Sequence, residues 1–180
     1  HTAYRRQRQM CIRDRFYIDS MRAIPVLVVL VWIYFAFPLL AGVNFAPFWA
    51  ALVALTLHIA AYSAEVIRAG IESVRPGQMR AGLALGMSRA QALRKIILPQ
   101  ATIRMLPAFG SVLTVAIKDT AIATVIAVPE LMHKAETIAG QSYRPIEVFT
   151  AVIVAYFVIL FPVTRGVDRL YQRYAHLGRS

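Results

Sequence analysis

Two groups of residues have the types and spacing to carry chemistry. The first lies in GQMRAGLALGMSRAQALRKIILP, residues 77–99, which holds Arg80, Arg89, Arg94 and Lys95 and no acid, with Gly82 and Gly86 at inner positions. A cationic helical stretch of this kind can lie on lipid headgroups with its arginines facing phosphate, or it can dock on a partner protein. The second group is Lys118, Asp119 and Thr120 inside one apolar run, with His58 inside another. Charged groups at membrane depth are costly, and they line a pathway or a helix interface. Lys118 and Asp119 are neighbours, so on a helix they point about 100° apart and form no ideal pair with each other. They read as a polar element of a substrate route, as an inter-helix polar contact, or as a helix break near the membrane edge. His58 reads either as facing a cavity or as bonded to a neighbouring helix. His1, His58, His133 and His176 lie far apart with no ligand partner nearby, and Cys11 is the only cysteine, so no metal site, cofactor or disulfide framework is expected.

The elements that must position these residues are membrane helices. The chain of 180 residues is 58% hydrophobic with a mean hydropathy of +0.57, against about 45–50% apolar in a soluble domain. No charge occurs from residue 23 to residue 64, room for two crossings at about 20 residues each. Apolar segments run from about Ile24 to Leu40, Phe48 to Ala64, Met105 to Val128 and Val148 to Val163, giving four crossings. Gly42 to Pro47 is an uncharged turn, and Pro129 to Glu147 reads as a mixed polar loop. Between Glu65 and Arg104 stand seven basic residues and two acids, and the tail carries Arg165, Arg169, Arg173 and Arg179. The net charge of +11 in a soluble protein would suggest nucleic acid. Here the positive-inside rule accounts for it and places residues 65–104 and both chain ends in the cytoplasm.

Residues 10–15, MCIRDR, are what ATG-TGT-ATA-AGA-GAC-AGR encodes, a string that matches a transposase end used in sequencing libraries. Residues 1–15 are therefore read as adaptor read-through, and residues 16–180 as the membrane domain. The alternative is a genuine polybasic cytoplasmic arm. The stretch holds five arginines and one aspartate, so leaving it out lowers the net charge from +11 to +7.

Within the basic stretch, Pro76-Gly77 reads as a stop. Apolar residues at Met79, Leu83, Met87, Ala90, Leu93 and Ile97 mark one helical face. Gly86 suits the left-handed position past a helix end, and Ser88 with Gln91 reads as a capping box. The pattern predicts a short helix over about 78–85 and a second from Ser88 toward Leu98-Pro99. Ala81, Gly82 and Ala84 allow close approach by another surface. Glu65 and Arg68 have i, i+3 spacing and read as a surface ion pair in preference to a gate. Arg22 before Pro25 reads as an interfacial anchor. Pro38, Pro107 and Pro162 read as kinks or helix ends, and Trp32, Tyr34, Trp49 and Tyr156 as interface or packing aromatics.

The stretch also resembles the cytoplasmic signature of ABC importer permeases: Glu-Ala-Ala, three residues, Gly, nine residues, Ile, one residue, Leu-Pro. Here Arg80-Ala81-Gly82, Gly86, Ile96 and Leu98-Pro99 keep every spacing. FYIDSMRAIP (16–25), AYSAEVIRAGIESVRPGQ (61–78), LPQATIRMLP (98–107) and KDTAIATVI (118–126) are similar to recurrent stretches of the polar amino acid permease family. Two positions depart: Arg80 stands where the family has glutamate, and Gly82 where it has its second alanine. The first puts the usual electrostatic contact with the ATPase in doubt.

The resemblance implies an all-α polytopic membrane helix bundle with four of a probable five crossings present, the first being missing. It implies a permease subunit that moves polar amino acids inward by alternating access. Gln78, Arg80, Ala81, Gly82, Gly86, Ile96, Leu98 and Pro99 would form the ATPase-coupling loop, with a coupling helix over 78–86 seated in an ATP-binding cassette subunit. A second permease copy or paralogue, an extracytoplasmic substrate-binding protein and membrane lipids are the other implied partners, and nucleic acid is not one. The chain has no G-x-x-x-x-G-K-[ST] loop, so it is not expected to hydrolyse ATP. Two other classes fit the charge asymmetry as well: a membrane scaffold whose basic loop binds headgroups, and a secondary transporter, which would show repeated halves.

Overall fold

A computed structural model describes residues 15–174, and among these there are helices and no strand. Residues 1–14, on which the adaptor reading mainly rests, lie outside the described residues, as do His176 and Arg179. The helices are α1 (Arg15–Ala23), α2 (Val26–Ala41), α3 (Pro47–Glu72), α4 (Pro76–Ala84), α5 (Arg89–Ile126), α6 (Leu131–Ser142) and α7 (Pro145–Tyr174).

Helices α3, α5 and α7 are each long and apolar enough to cross a membrane. Helix α2 alone falls short of the roughly 20 residues a crossing needs. It qualifies only together with α1, from which it is bent by 100°, as a broken span. The four apolar segments of the sequence thus map onto α2, α3, α5 and α7, and the first of them makes a fourth crossing if the bent pair α1–α2 is one span. The bend falls at Pro25, which holds an extended backbone (φ −59°, ψ 135°) and disfavours helix at the residue before it.

Prolines explain two further features of the helices. The helix from Ser88 was expected to run toward Leu98-Pro99, and α5 continues through it. Its turn Leu93–Ile97 widens to π geometry, with the Leu98 N–H bonded to the Leu93 carbonyl. Helix α2 does the same ahead of Pro38, where Trp32–Ala36 is a π turn and the Phe37 N–H bonds to the Trp32 carbonyl. A proline lacks the N–H and its ring crowds the carbonyl four residues back. Widening the turn just before it moves that carbonyl aside, and the helix continues. Pro107 and Pro162 likewise lie inside α5 and α7.

The expected loop 129–147 contains α6. Glu130 caps it, its carboxylate accepting from the N–H groups of Met132 (2.8 Å) and His133 (2.6 Å). Tyr143 closes it in the left-handed conformation, φ 55°.

The chain divides into two compact units. The first holds residues up to Tyr62 together with Val115–Leu160. Its core joins Leu30 and Ile33 of α2, Ala50, Ala51 and Ala54 of α3, and Ala123 and Ile126 of α5. Alanines at this contact let backbones approach closely, which is how helices associate where burial from water gives no drive. The second unit holds Ser63–Thr114 and the chain from Phe161 onward. Its core is Val74, Ile97, Ala101 and Met105, with Met79 of α4 and Ile96 packed against it. Two close approaches tighten it. A Cβ on Gly70 of α3 would stand 2.1 Å from Met105 Cγ, and one on Gly110 of α5 would stand 2.4 Å from Val167 Cγ1 of α7.

Candidate functional site

The basic stretch folds as a helix–turn–helix within the second unit. Helix α4 begins at Pro76, two residues before the expected start, because Pro76 occupies the first helical position, where its missing N–H costs nothing. Pro76 therefore both follows the end of α3 at Glu72, as expected of a stop, and starts α4. Helix α4 ends at Ala84, and Gly86 adopts φ +79°. The Gly86 N–H bonds to the Leu83 carbonyl (3.0 Å) and the Met87 N–H to the Gly82 carbonyl (3.1 Å). These two bonds form a Schellman cap and satisfy carbonyls that the helix end leaves free. Ser88 then opens α5 with the expected capping box. Its hydroxyl accepts from the Gln91 N–H at 3.2 Å, and its own N–H donates to Gln91 Oε1 at 2.9 Å.

The signature spacing has a packing cause. A Cβ at Gly82 would lie 3.0 Å from Ile96 Cδ1 and 3.1 Å from Ala92 Cβ. The turn at Gly86 folds α4 back so that Gly82 comes under Ile96, fourteen positions on in the signature's own count. Gly82 is buried and Arg80 exposed, so one of the two departures faces the unit's interior and the other faces outward. Gln78 and Ile96 are half-buried, and Ala81, Gly86, Leu98 and Pro99 are exposed. The preceding turn is fixed by Arg104 of α5, whose guanidinium donates to the Ser73 carbonyl at the end of α3. Nearby, Arg68 donates to Glu65 at 2.6 Å and 2.8 Å. Both side chains are part-exposed, as an interfacial ion pair; its contribution to stability is small.

The second group of candidates lies in the first unit. His58 is buried, with 7% of its surface exposed. Its ring meets that of Tyr62 on the same helix at 5.1 Å with the planes tilted by 52°, and among the described residues its Nδ1 has no hydrogen-bond partner. Asp119 is half-buried and lies within electrostatic reach of His58 while Lys118 is exposed, as expected from neighbours about 100° apart on a helix. The helix does not break at this point. It tightens to 3-10 geometry over Thr120–Ile126 and ends at Ala127, φ 58°. The Thr120 hydroxyl donates to the Ile117 carbonyl at 2.7 Å.

Sequence reasoning missed Tyr156, read only as an interface or packing aromatic. Its phenol lies within polar reach of Thr120. A lone tyrosine in an apolar run gives no hint of its partner. Tyr62 was also missed, although Arg22 lies over its ring at 5.6 Å and the His58 ring meets it at 5.1 Å. Its spacing from His58 was a usable signal, since i and i+4 share a helix face. Among the described residues no group of acids, histidines and cysteines is placed to hold a metal ion.

Comparison with known proteins bears on both regions. The model of the binding-protein-dependent transport system inner membrane component family matches residues 14–176. The chain is 37% identical over 158 residues to the glutamine transport system permease protein GlnP of Escherichia coli K12, covering 87% of this chain and 72% of that one. It is 41% identical over 156 residues to the probable amino-acid ABC transporter permease protein PatM of Vibrio harveyi, covering 84% and 69%. A crystal structure of an amino acid ABC transporter matches with a TM-score of 0.83 at 37% identity, over 88% of this chain and 74% of that one.

Proposed function

The chain belongs to the family of inner membrane components of binding-protein-dependent transport systems, and from that membership we propose how its two groups of residues work and what they move. It is a membrane-spanning permease subunit of an ATP-driven importer. Polar amino acids are the substrate class, supported by relatives named for glutamine and amino-acid transport. ATP hydrolysis belongs to a separate ATP-binding subunit, and a substrate-binding protein delivers the cargo from outside. The permease pairs with a second copy or a paralogue. Residues 65–104 and both chain ends lie in the cytoplasm, supported by the charge bias of the loops.

One observation carries the coupling role. The stretch 76–99 is a short helix capped by the Gly86 turn and folded against Ile96 and Ala92, on a unit whose other helices span the membrane. A helix of two turns is marginal by itself. Here caps and packing hold it in one orientation, with Arg80 outward. Such a rigid knob transmits the motion of a partner to the helices beneath it, a rigid-body switch biased by nucleotide. Gln78, Arg80, Ala81, Gly82 and Gly86 form the knob, and Ile96, Leu98 and Pro99 tie it to α5. His58, Asp119 and Thr120 are polar groups of the substrate route, supported by the His58 Nδ1, unpartnered among the described residues and within electrostatic reach of Asp119. Lys118 stands at its exposed edge.

The test is uptake into proteoliposomes holding the chain, the neighbouring ATP-binding subunit and the binding protein. Uptake of a polar amino acid that needs both the ATP-binding subunit and ATP supports the reading. Uptake that persists without that subunit overturns it in favour of a secondary carrier. Residues 77–99 that associate with vesicles and never with an ATPase would favour the headgroup-binding scaffold.

A further inference from the structure

We propose that the last turns of α7 hold an anionic phospholipid, bound by its phosphate between Arg165 and Arg169. The inference needs the chain to span a membrane and is independent of the coupling role of 76–99.

Depth is the first argument. The apolar run Val148–Val163 ends two residues before Arg165, so Arg165 and Arg169 are the first cations past the hydrocarbon-spanning stretch. A helix that leaves hydrocarbon there presents them at headgroup level. Shape is the second. Phe161, Arg165, Asp168, Arg169 and Gln172 line an open groove of about 280 Å³ within the second unit. Their spacing of three and four puts them on one helix face. The groove grades from an aromatic ring at the apolar end to guanidinium and amide donors at the wet end.

Charge is the third. Arg165 lies over the Phe161 ring at 5.2 Å, which orients its planar fork while leaving its N–H edge open. The one acid in the groove, Asp168, is exposed and forms no ion pair within 4.0 Å with either arginine among the described residues. Arg173, four residues past Arg169, adds a third cation to the same end of α7. The local excess of positive charge favours an anionic over a zwitterionic lipid, and guanidinium suits phosphate by bidentate hydrogen bonding. Gln172 supplies a neutral amide donor for glycerol or phosphate oxygen.

The experiment is native mass spectrometry of the full-length chain released from detergent. It is titrated with palmitoyl-oleoyl phosphatidylglycerol and, separately, with phosphatidylcholine bearing the same chains. We expect the first phosphatidylglycerol to bind several-fold more tightly than the first phosphatidylcholine, and the preference to weaken as salt rises. Arg165→Gln should reduce phosphatidylglycerol affinity about fivefold, and Arg165→Gln with Arg169→Gln roughly 25-fold, with phosphatidylcholine affinity falling by much less because its choline charge offsets the phosphate. Arg165→Lys should recover part of the loss, and Arg144→Gln, in the other unit, should have no effect. Equal affinities of the native chain for the two lipids overturn the proposal, and that comparison needs no variant to fold. An unchanged preference in the double variant also overturns it. So does a native chain without lipid preference whose double variant loses the ATP-binding subunit, because the groove would then be a protein contact.

Discussion

The sharpest test of the coupling geometry is Gly86. Nothing lies within 4 Å of where a Cβ on Gly86 would stand, so a side chain there meets no neighbour. The cost of substitution is therefore entirely in the backbone, which sits at φ +79°. An ordinary L-residue pays about 1–2 kcal/mol in the left-handed region, and a β-branched residue pays more. Escape is no cheaper. A chain that leaves that conformation loses the Gly86–Leu83 and Met87–Gly82 backbone bonds, at about 0.5–1.5 kcal/mol each. Gly86→Val should thus disfavour the native turn by about 2 kcal/mol, a factor of roughly 30 in the population of the docking-competent loop. Apparent affinity for the ATP-binding subunit falls by the same factor, since it scales with the competent fraction. Gly86→Asn, whose residue tolerates the left-handed region, should stay within about threefold of native. The assay is co-purification of the ATP-binding subunit with each variant, followed by ATP-dependent uptake. Native retention by Gly86→Val would refute the turn's role. Equal damage by Asn and Val would move the effect from backbone conformation to side-chain contact.

Three other perturbations separate the remaining parts. Gly110→Ala drives a Cβ to within 2.4 Å of Val167 Cγ1, a side chain stiff at χ1, and should cost about 1–3 kcal/mol of stability; Val167→Ala should restore most of it in a double-mutant unfolding cycle, and additive losses would mean the two helices do not meet there. Ser88→Ala removes the hydroxyl that accepts from Gln91 and should cost about 1 kcal/mol, seen as faster amide exchange over 89–92; unchanged exchange would show that packing alone holds the start of α5. Asp119→Asn should lower amino-acid uptake while leaving ATPase co-purification intact, whereas undiminished uptake would take Asp119 out of the substrate route.

What the sequence disclosed and what it hid have distinct physical causes. The apolar runs, the Gly86 turn and the Ser88–Gln91 box were legible because each depends on a few adjacent residues: an uncharged run, a residue free to take positive φ, a hydroxyl three residues before an amide. The continuity of α5 through Pro99 was hidden. It depends on a π turn over Leu93–Ile97, and nothing in LRKII distinguishes a widened turn from an ordinary one. Helix α6 was hidden because its cap is Glu130 in place of the usual short side chains. Its apolar face, Leu131, Ala135 and Ile138 at steps of four and three, is short and built partly of alanine, so it stood out less than the membrane runs on either side. The polar contact of Thr120 with Tyr156 was hidden for a third reason. It joins residues 36 positions apart in the chain, and no local pattern fixes which faces of α5 and α7 meet.

Arg80 and Gly82 separate geometry from recognition in the proposed coupling loop. Gly82 lies inward under Ile96 and Ala92, and even a methyl there would approach to 3.0 Å and 3.1 Å. Its effect is confined to how closely α4 folds onto α5. An alanine would gain helix propensity of about 1 kcal/mol and give back a comparable amount in crowding unless Ile96 turns aside. Arg80 is exposed and, among the described residues, forms no bond that fixes the fold. Its guanidinium is therefore available to whatever surface receives α4. The turn, the caps and the Ile96 contact do not depend on its sign, so a glutamate at this position would present the same helix with opposite charge. It follows that a partner fitted to this chain needs an acidic rim where a partner fitted to the glutamate form needs a basic one. Arg80→Glu should then weaken the native complex most at low salt, where such pairs are least screened, without altering the fold of the loop. Loss of the complex to the same degree at all ionic strengths would mean that position 80 acts through shape.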